Sequence, residues 1–505
     1  MRRATLRVKR HQARGGGVNP PPHDRGNAPL RAPNARAGRV MMAAMSDPKR
    51  PKVPENESRR EFLRATVAAG LVAAVRPAAA APAAAAQAPE PAPPPAAPYS
   101  APPIERVRIG YVGVGERGSF HVESLLRIEG AEIRAVCDIV PEKVAAAQAK
   151  VKAAGQREPA GYSRGERDFE RMCDEQELDL VYNATPWEWH VPVCLAAMKT
   201  GKHAATEVPA AVTVDECWQL VEAAEKQQRH CVMMENCCYD RREMLTLVLA
   251  QRGLLGELLH GECGYLHDLR AIKFGRDSEG LWRRAHSVSR NGNLYPTHGL
   301  GPIAQCMNVN RGNRFDYVVS MSGNSRGLQL YAAEHLAADD PRRKETYKLG
   351  DVNTTLIRTV NGQTIFLSHD TNSPRPYSRI GMLQGTRGLI QGWPDRVYIE
   401  GRSKKEEWEP LKSYYKEFEH PLWKSKRVRD DKRGHGGMDY LVNQRLIECL
   451  RRGWPTDQNV YDAAAWSAIS GLSEQSVAEG SRPVPVPDFT RGRWKTTPPL
   501  TLREA

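Results

Sequence analysis

The sequence lacks the features that mark several common protein classes. The apolar run over residues 65–75 is too short to cross a bilayer, so we predict no permanent membrane span. The ten cysteines include no C-x-x-C pair and no zinc-type spacing, so we predict no metal site. The adjacent Cys237 and Cys238 are interpreted as packing residues.

Most of the chain is nearly balanced in charge, because the positive excess lies in its first 100 residues. The formal net charge is +14, but residues 1–100 hold 17 Lys+Arg against 6 Asp+Glu, which leaves +3 for residues 101–505. This balance argues against a nucleic-acid partner. A chain of 505 residues, 40% of them hydrophobic, is long enough for two packed domains after an N-terminal tail.

Three glycines punctuate the most informative stretch of the chain. An apolar strand over residues 107–112 is followed by Gly113, Gly115 and Gly118, in G-x-G-x-x-G spacing, and then by a helical pattern. The first two glycines allow a tight turn and close approach of a pyrophosphate, and the third allows helix and strand to pack closely. The free N–H groups at the helix start would face the anion.

An acidic residue helps to decide between two interpretations of this glycine turn. It favours a dinucleotide site rather than a glycine-rich turn in some other α/β protein. A second strand, residues 133–137, ends at Asp138, twenty residues after Gly118. A carboxylate here can accept hydrogen bonds from an adenosine ribose and would repel a 2′-phosphate. The sequence therefore predicts NAD rather than NADP as the cofactor.

Strands and helices alternate after Asp138. We predict strands at 180–184, 203–206 and 231–234, and helices at 191–200 and 214–227. This alternation predicts a doubly wound parallel sheet, the Rossmann type of α/β fold. The segment from Thr185 to His190 follows a strand end, where side chains face the cofactor crevice.

The N-terminal region resembles an export signal. Ser58-Arg59-Arg60-Glu61-Phe62-Leu63 is a twin-arginine element, and an apolar run and an Ala/Pro-rich stretch follow it to about residue 103. This pattern predicts a Tat-type signal and a periplasmic or secreted protein, with a basic tail of a cytosolic protein as the alternative. Residues 1–44 exceed what such a signal requires, which favours Met45 as the start.

From about residue 239 the pattern indicates a second domain. A helix over 241–251 and a strand over 258–269 carrying Tyr265 precede a distinctive block from Trp282 to Pro302. Within it, Tyr295 and His298 flank a helix start, so we expect both side chains to face one cleft. Helical patterns at 438–450 and 461–478 predict two amphipathic helices in the C-terminal part of this domain. We predict domains at 1–103 (signal and linker), 104–238 (NAD binding) and 239–505 (substrate).

These blocks carry a family resemblance. The glycine turn, Asp138, Thr185-Pro186 with His190, and Glu207-x-Pro209 resemble the Gfo/Idh/MocA oxidoreductases, which join a Rossmann domain to an α+β domain with an open, mainly antiparallel sheet. Most members carry lysine where Val208 stands, and that lysine assists proton transfer in sugar oxidation. Valine cannot move a proton, which argues against ordinary dehydrogenase chemistry.

Four blocks together are similar to glycoside hydrolase family 109, the NAD-dependent α-N-acetylgalactosaminidases. The blocks are residues 187–190, 207–211, 234–237 and 282–302. Beside Gly113 and Gly115, the likeness implies that NAD is held by Arg117, Gly118, Asp138, Trp187, Glu188, Trp189, His190, Glu207, Val208 and Asn236. It implies a sugar site lined by Tyr265, Arg283, Tyr295, Pro296, Thr297, His298 and Tyr377.

The resemblance also implies a reaction on a small-molecule glycoside. The sugar is oxidised at C3, the aglycone is eliminated, water adds, and C3 is reduced again. His298 is our choice of base for the O3 proton, because imidazole titrates near neutral pH, and Tyr295 and Tyr265 are candidates for the C2 proton or for supporting oxyanions. We find no carboxylate pair of the ordinary glycosidase kind.

Two alternatives remain at this stage. One is an exported NAD-dependent sugar or cyclitol dehydrogenase, and the other is a sugar-binding protein that retains NAD without turnover. The sequence also leaves open a homo-oligomer formed through the second sheet.

Overall fold

A computed structural model describes residues 101–430 and 433–502. The twin-arginine element, the apolar run and nearly all of the Ala/Pro-rich stretch lie outside these residues, so export stays a prediction. No helix within the described ranges has the length and apolar character needed to cross a membrane.

The first sheet has six parallel strands in the spatial order β3-β2-β1-β4-β5-β6. Its strands are β1 (Val107–Val112), β2 (Ala131–Cys137), β3 (Ala160–Tyr162), β4 (Leu180–Asn183), β5 (His203–Thr206) and β6 (Cys231–Met233). Its helices are α1 (Glu116–Leu125), α2 (Pro141–Ala153), α3 (Asp168–Glu175), α4 (His190–Lys199) and α5 (Val214–Gln227). The chain reverses its direction of winding between β1 and β4, which places a crevice at the carboxyl ends of these strands.

The predicted doubly wound sheet is confirmed, with small differences at its ends. The second strand begins two residues earlier than predicted, β4 and β6 each end one residue earlier, and β5 has the predicted bounds. The sequence analysis missed β3, because three residues with a central glycine carry no periodic signal. The start of α5 has a full capping box between Thr213 and Glu216, which explains why that boundary was predicted well.

The second sheet has nine strands in the order β14-β13-β12-β11-β7-β10-β9-β8-β15. Only the β7–β10 pair is parallel among these neighbours, so the sheet is open and mainly antiparallel, as predicted. Its strands are β7 (Leu258–Leu266), β8 (Phe315–Ser322), β9 (Val352–Thr359), β10 (Thr364–Asp370), β11 (Met382–Gly385), β12 (Gly388–Gln391), β13 (Arg396–Ile399), β14 (Glu409–Pro410) and β15 (Val484–Pro485).

The predicted strand over residues 258–269 is too long, since β7 ends at Leu266. The Asp268 carboxylate accepts a hydrogen bond from the backbone N–H of Arg270 at 3.1 Å, which favours a helical turn there. The buried Leu269 continues the apolar pattern but lies in that turn rather than in the sheet.

The remaining helices surround the second sheet and cover the first. They are α6 (Arg241–Gln251), α7 (Arg270–Lys273), α8 (Arg283–Ser289), α9 (Thr297–Cys306), α10 (Gly327–His335), α11 (Tyr415–Phe418), α12 (Pro421–Lys424), α13 (Lys426–Asp430), α14 (Arg433–Gly436), α15 (Met438–Arg452) and α16 (Val460–Ala478). The two predicted C-terminal helices are confirmed as α15 and α16.

Both C-terminal helices contact the Rossmann elements. Helix α15 packs on α1, and α16 packs on α5 and on β8, with the fully buried Trp466 in its interior face. The C-terminal part of the chain thereby joins the two sheets. The predicted domain boundary at residue 238 lies between β6 and α6 and stays a prediction.

Candidate functional site

The glycine turn provides a backbone cradle at the end of β1. Gly113 has a φ of +82° and donates its N–H to the carbonyl of Cys137 at 2.8 Å. A Cβ on Gly118 would lie 1.8 Å from the Gly113 carbonyl oxygen, so strand and helix pack there without room for a side chain. At Gly115, the N-cap of α1, a Cβ would meet only the Lys143 ammonium at 3.8 Å.

The start of α1 fits a bound anion. Gly115 has no side chain to cap the helix, so the N–H groups of the first turn receive no side-chain acceptor from it. The open space above Gly115 and the positive end of the helix dipole suit a pyrophosphate. The residues present therefore fit a dinucleotide.

Asp138 joins the end of β2 to the glycine turn. One carboxylate oxygen accepts the N–H of Val114 at 2.9 Å, and the other accepts the N–H of Val140 at 3.0 Å. An ionised carboxylate has about four acceptor sites, so these two bonds leave capacity for ribose hydroxyls. Asp138 therefore both holds the turn and suits the predicted role.

Arg117 lies at the centre of a buried ionic network. Its guanidinium donates to Glu207 at 2.7 Å and to both oxygens of Asp439 at 2.8 and 3.1 Å. Glu207 also contacts the His121 ring at 2.6 Å, and Asp439 accepts the Asn236 amide at 2.5 Å. Asp439 of α15 thus binds two predicted cofactor residues, Arg117 and Asn236, and Arg117 links it to the third, Glu207.

The same network determines the charge of its two acids. Burial alone would raise the pKa of Glu207, but the Arg117 charge and the His121 ring hold that pKa far below its usual range. Burial likewise opposes ionisation of Asp439, and the Arg117 charge again outweighs it and lowers the pKa strongly. Both carboxylates are therefore ionised at neutral pH.

Trp187 connects the first sheet with the second. It lies in the turn after β4, and its ring stacks on Tyr295 with centroids 5.5 Å apart. The neighbouring Glu188 is exposed and lies 3.9 Å from the ring of His286. The turn after β4 and the block before α9 therefore meet at the cofactor crevice.

Trp189 and His190, the next two residues of the chain, contact other parts of the first domain. Trp189 packs edge-on against Phe169 at 6.1 Å. The buried His190 ring lies between two carbonyl oxygens, those of Pro209 at 2.7 Å and Thr185 at 2.9 Å, and burial lowers its pKa. The contacts of both residues position the neighbouring loops.

Three other predicted residues are fully enclosed by protein. The side chains of Val208, Pro296 and Thr297 are buried, and Val208 is only 3% exposed. Val208 occupies the carboxyl end of β5 beside Glu207 without any group that exchanges a proton. These residues shape the walls of the crevice.

Tyr265, Tyr295 and His298 form one aromatic cluster, as the sequence predicts for the latter two. Ring centroids are 4.6 Å apart for the two tyrosines, 4.9 Å for Tyr295 and His298, and 5.6 Å for Tyr265 and His298. The Tyr295 hydroxyl lies 3.4 Å from His298 Nε2. Burial raises the pKa of both tyrosines well above the usual value, so both are phenols at neutral pH.

A carboxylate supports the histidine from the opposite side. Glu235 is fully buried, and its Oε1 lies 2.6 Å from Nδ1 of His298. The interaction with His298 outweighs the effect of burial and lowers the pKa of Glu235. An ionised Glu235 accepts a hydrogen bond from Nδ1–H of His298, which leaves Nε2 as the acceptor that faces Tyr295.

The edge of the cluster contains His267 and Tyr377. The Tyr265 hydroxyl lies 3.0 Å from His267 Nδ1, and the Tyr377 ring contacts both of these rings edge-on. Arg379 donates to the Tyr377 hydroxyl at 3.1 Å. The predicted Tyr377 therefore adjoins the cluster.

Arg283 covers the aromatic wall. Its guanidinium carbon lies 4.9 Å from the Trp187 ring centroid and 5.3 Å from that of Tyr295. Its Nε forms an ion pair with Glu279 at 2.7 Å. These contacts fix a cation where a polar substrate would meet the aromatic rings.

The sequence analysis missed four residues of this arrangement, namely His121, Glu235, His267 and Asp439. Glu235 directly follows β6, and the carboxyl edge of a parallel sheet is a signal that could have identified it. His267 directly follows β7, two residues after Tyr265, and carried a similar signal. His121 and Asp439 are helix residues without a local motif, and their contacts depend on the fold.

Two family profiles cover the described part of the chain. The profile described as "Oxidoreductase family, NAD-binding Rossmann fold" matches residues 107–235. The profile described as "Glycosyl hydrolase 109, C-terminal domain" matches residues 239–496, about half of the chain. The chain belongs to glycoside hydrolase family 109. Membership confirms the predicted family, and it makes this protein an NAD-binding enzyme of glycosidase or sugar-dehydrogenase type.

Curated relatives agree with this assignment of family 109. The protein is 50% identical over 401 residues to a glycosyl hydrolase family 109 protein of Solibacter usitatus, covering 79% of this chain and 91% of that one. It is 46% identical over 404 residues to a protein of the same name from Shewanella pealeana, covering 79% and 89%.

Solved structures share the fold of this family 109 member. A levoglucosan dehydrogenase in complex with NADH and L-sorbose aligns with a TM-score of 0.60 at 19% identity, covering 76% of this chain and all of that chain. An inositol dehydrogenase homologue from Azotobacter vinelandii in complex with NAD+ aligns with a TM-score of 0.57 at 16% identity, covering 76% and 99%. At this identity the likeness concerns the fold alone.

Proposed function

We propose that this protein is an NAD-dependent glycosidase that hydrolyses α-N-acetylgalactosaminides or related glycosides. The observation that carries the proposal is the stack of Tyr295 on Trp187, because it places a histidine–tyrosine acid–base cluster at the crevice of a Rossmann sheet. Family membership supports the same activity. Position 208 holds a valine, which cannot transfer a proton as the lysine of most related dehydrogenases does, and this disfavours a simple dehydrogenase.

The cofactor is held by the first sheet in this proposal. The N–H groups at the start of α1 bind the pyrophosphate, and Asp138 accepts hydrogen bonds from a ribose. Arg117, Glu207 and Asn236 keep their side chains in place through Asp439. When bound, NAD would supply the hydride acceptor, and later the hydride donor, for C3 of the sugar.

His298 removes the proton of the sugar O3 through Nε2. Glu235 stabilises the imidazolium that forms, because its carboxylate accepts a hydrogen bond from Nδ1–H at 2.6 Å. The sugar is then a C3 ketone, which acidifies the C2–H bond. The C2 proton passes to solvent, and the electron pair of the C2–H bond forms the C1–C2 double bond as the C1–O bond breaks. The aglycone oxygen takes a proton from solvent as it leaves, which gives an enone.

Tyr265 and Tyr295 support the negative charge that develops on the ketone oxygen. Both hydroxyls are protonated at neutral pH, so they act as hydrogen-bond donors rather than as bases in the resting site. Addition of water at C1 and of a proton at C2, followed by reduction of C3, gives the free sugar. Hydrolysis is the net reaction, and no cofactor is consumed.

Hydrolysis of a nitrophenyl α-N-acetylgalactosaminide without added NAD tests the proposal. Release of nitrophenol with no net NADH supports the glycosidase, and solvent deuterium at C2 of the product supports the elimination step. NADH that accumulates from free sugar would indicate a dehydrogenase instead. A dinucleotide-loaded protein that releases no nitrophenol and forms no NADH would indicate a sugar-binding protein.

We also propose that the protein is exported through its twin-arginine element. Fractionation of cells that produce the wild-type chain and an Arg59→Lys/Arg60→Lys variant tests this. The wild type should reach the periplasm or medium, and the variant should stay in the cytoplasm. Equal export of both chains would contradict a Tat-type signal.

A further inference from the structure

Three side chains of metal-binding type converge behind the catalytic cluster. One ligand atom each from Glu235, Cys237 and His298 lies within 4.8 Å of the other two. We refer to these residues as the EHC cluster. A carboxylate, a thiol and an imidazole are the ligand types that Zn²⁺ uses in proteins, commonly three from the protein with an open fourth position.

The local fold holds two members of the EHC cluster together. The Cys237 N–H donates to Glu235 Oε1 at 3.0 Å, so the short turn after β6 brings the thiol back toward the carboxylate. His298 is the second residue of α9, and its Nδ1 points to the same carboxylate at 2.6 Å. These bonds form the cluster without a metal.

One atom of the EHC cluster has unused bonding capacity. Glu235 is 0% exposed, yet its Oε2 makes no hydrogen bond within the described part of the chain. A buried acceptor without a partner is unfavourable, and a cation is one partner that would satisfy it. This oxygen is therefore a second observation, independent of residue type, that points to a ligand.

We propose that the EHC cluster is a zinc-binding site through which Zn²⁺ reversibly inhibits the enzyme. The inhibition rests on the proposed function, in which His298 is the base. Zn²⁺ would bind Nδ1 of His298, the Cys237 sulfur and the Glu235 carboxylate, with water as a fourth ligand.

The position of the proton on the His298 ring explains why bound zinc would inhibit the enzyme. Zinc binding releases the thiol proton to solvent and moves the imidazole proton from Nδ1 to Nε2. Nε2 then carries hydrogen where the mechanism needs a lone pair, 3.4 Å from the Tyr295 hydroxyl. The two negative ligands balance the two charges of the ion, so the buried site stays neutral. No electron transfer is involved.

Cobalt titration of the dinucleotide-loaded protein tests the site without requiring turnover. Co²⁺ replaces Zn²⁺ in such sites, and a thiolate ligand gives a near-ultraviolet charge-transfer band. We expect one equivalent of Co²⁺ to produce this band and Zn²⁺ to displace it. The band should be absent from Cys237→Ser and present in Cys238→Ser, a matched change at an adjacent, equally buried cysteine.

Inhibition is measured with buffered free Zn²⁺ on the same proteins. Wild type and Cys238→Ser should lose nitrophenol release and recover it with a chelator, whereas Cys237→Ser should need at least about tenfold more Zn²⁺. Thermal melting shows whether each variant is folded, and Cys237→Ala provides a second test without a new hydroxyl.

The outcomes separate the site from the proposed function. A missing cobalt band in wild type, or equal zinc inhibition of the folded Cys237 variants, would overturn the zinc site. A cobalt band that depends on Cys237 in a protein without hydrolase activity would support the site and overturn the proposed function.

Discussion

The carboxylate Oε1 of Glu235 lies 2.6 Å from Nδ1 of His298, on the side of the ring opposite to Tyr295. This bond selects the tautomer with Nε2 unprotonated and stabilises the charged ring after proton transfer. The proposed base therefore depends on a carboxylate that does not face the substrate. Two predictions follow from the pair.

Glu235→Gln should lower the rate of nitrophenol release about 10²- to 10⁴-fold, because the neutral amide cannot stabilise the imidazolium. The dinucleotide content, measured by mass spectrometry of the native protein, should stay at the wild-type level. Glu257→Gln makes the same change at an exposed residue and should keep full activity. Full activity of the Glu235 variant would contradict the proposed pair.

His298→Ala should abolish turnover while NAD stays bound, since His298 belongs to the base and not to the cofactor cradle. Nitrophenol release and dinucleotide content report the two properties separately. The Glu235→Gln/His298→Ala double variant should be no slower than His298→Ala alone, because both changes disable one unit. Unchanged turnover of His298→Ala would remove it from the catalytic role.

The sequence predicted these parts where a local pattern carries the information. The strand, glycine turn and acid from Val107 to Asp138 are local, and so is the spacing that brings Tyr295 and His298 to one helix start. Asp439 is different, because it lies 322 residues from Arg117 and reaches it only after α15 packs on α1. No pattern within α15 distinguishes that aspartate from a solvated one. Glu235 is an intermediate case. The predicted strand over 231–234 places it at a strand end, but no local pattern shows that its side chain is buried against His298.

The glycine turn offers a matched pair of substitutions. Gly118→Ala places a methyl 1.8 Å from the Gly113 carbonyl oxygen, so it should lower the melting temperature and remove the dinucleotide. Gly115→Ala meets only the Lys143 ammonium at 3.8 Å and should fold normally, yet it should retain at least about tenfold less dinucleotide, because its methyl occupies the anion space. Wild-type dinucleotide content in Gly115→Ala would contradict a pyrophosphate above this turn.

Asp439→Asn should destabilise the protein by about 3 kcal/mol at pH 7, because it leaves the Arg117 guanidinium with one carboxylate in a mostly buried network. Arg117 and Asn236 also lose their common anchor, so less dinucleotide should remain bound. Urea unfolding and mass spectrometry measure the two effects. Asp215→Asn, at an exposed position on α5, is the matched control.

The same variant should show a defined pH dependence. The folded-state pKa of Asp439 lies below the unfolded value of about 3.9, so its stabilisation is complete above that pH and is lost as the pH falls. The difference in unfolding free energy between wild type and Asp439→Asn should therefore stay constant from pH 7 to pH 5 and narrow below about pH 4. A difference that stays constant down to pH 3 would mean that Arg117 does not lower the pKa of the Asp439 carboxyl group in the fold.

A second pH effect should come from two histidines of the Rossmann domain, His203 and His230, whose ring centroids lie 5.0 Å apart. The pKa of His203 is lowered to about 3, mainly by burial and then by His230, whose own pKa is lowered to about 4. His203 Nδ1 accepts the backbone N–H of His230 at 3.0 Å, so it must be unprotonated in the fold. Because the unfolded pKa is near 6.5, this stabilisation is complete above pH 6.5 and is lost as the pH falls toward 3.

His203→Asn keeps an acceptor for that N–H but removes the titration. Between pH 6 and pH 4, the unfolding free energy of wild type should therefore fall more steeply than that of the variant, by up to about 1.4 kcal/mol per pH unit, the value for one proton. Urea unfolding of wild type and of His203→Asn at half-unit pH steps gives the slope of the unfolding free energy against pH for each protein. Equal slopes would mean that folding does not lower the pKa of His203, and they would contradict this source of acid sensitivity.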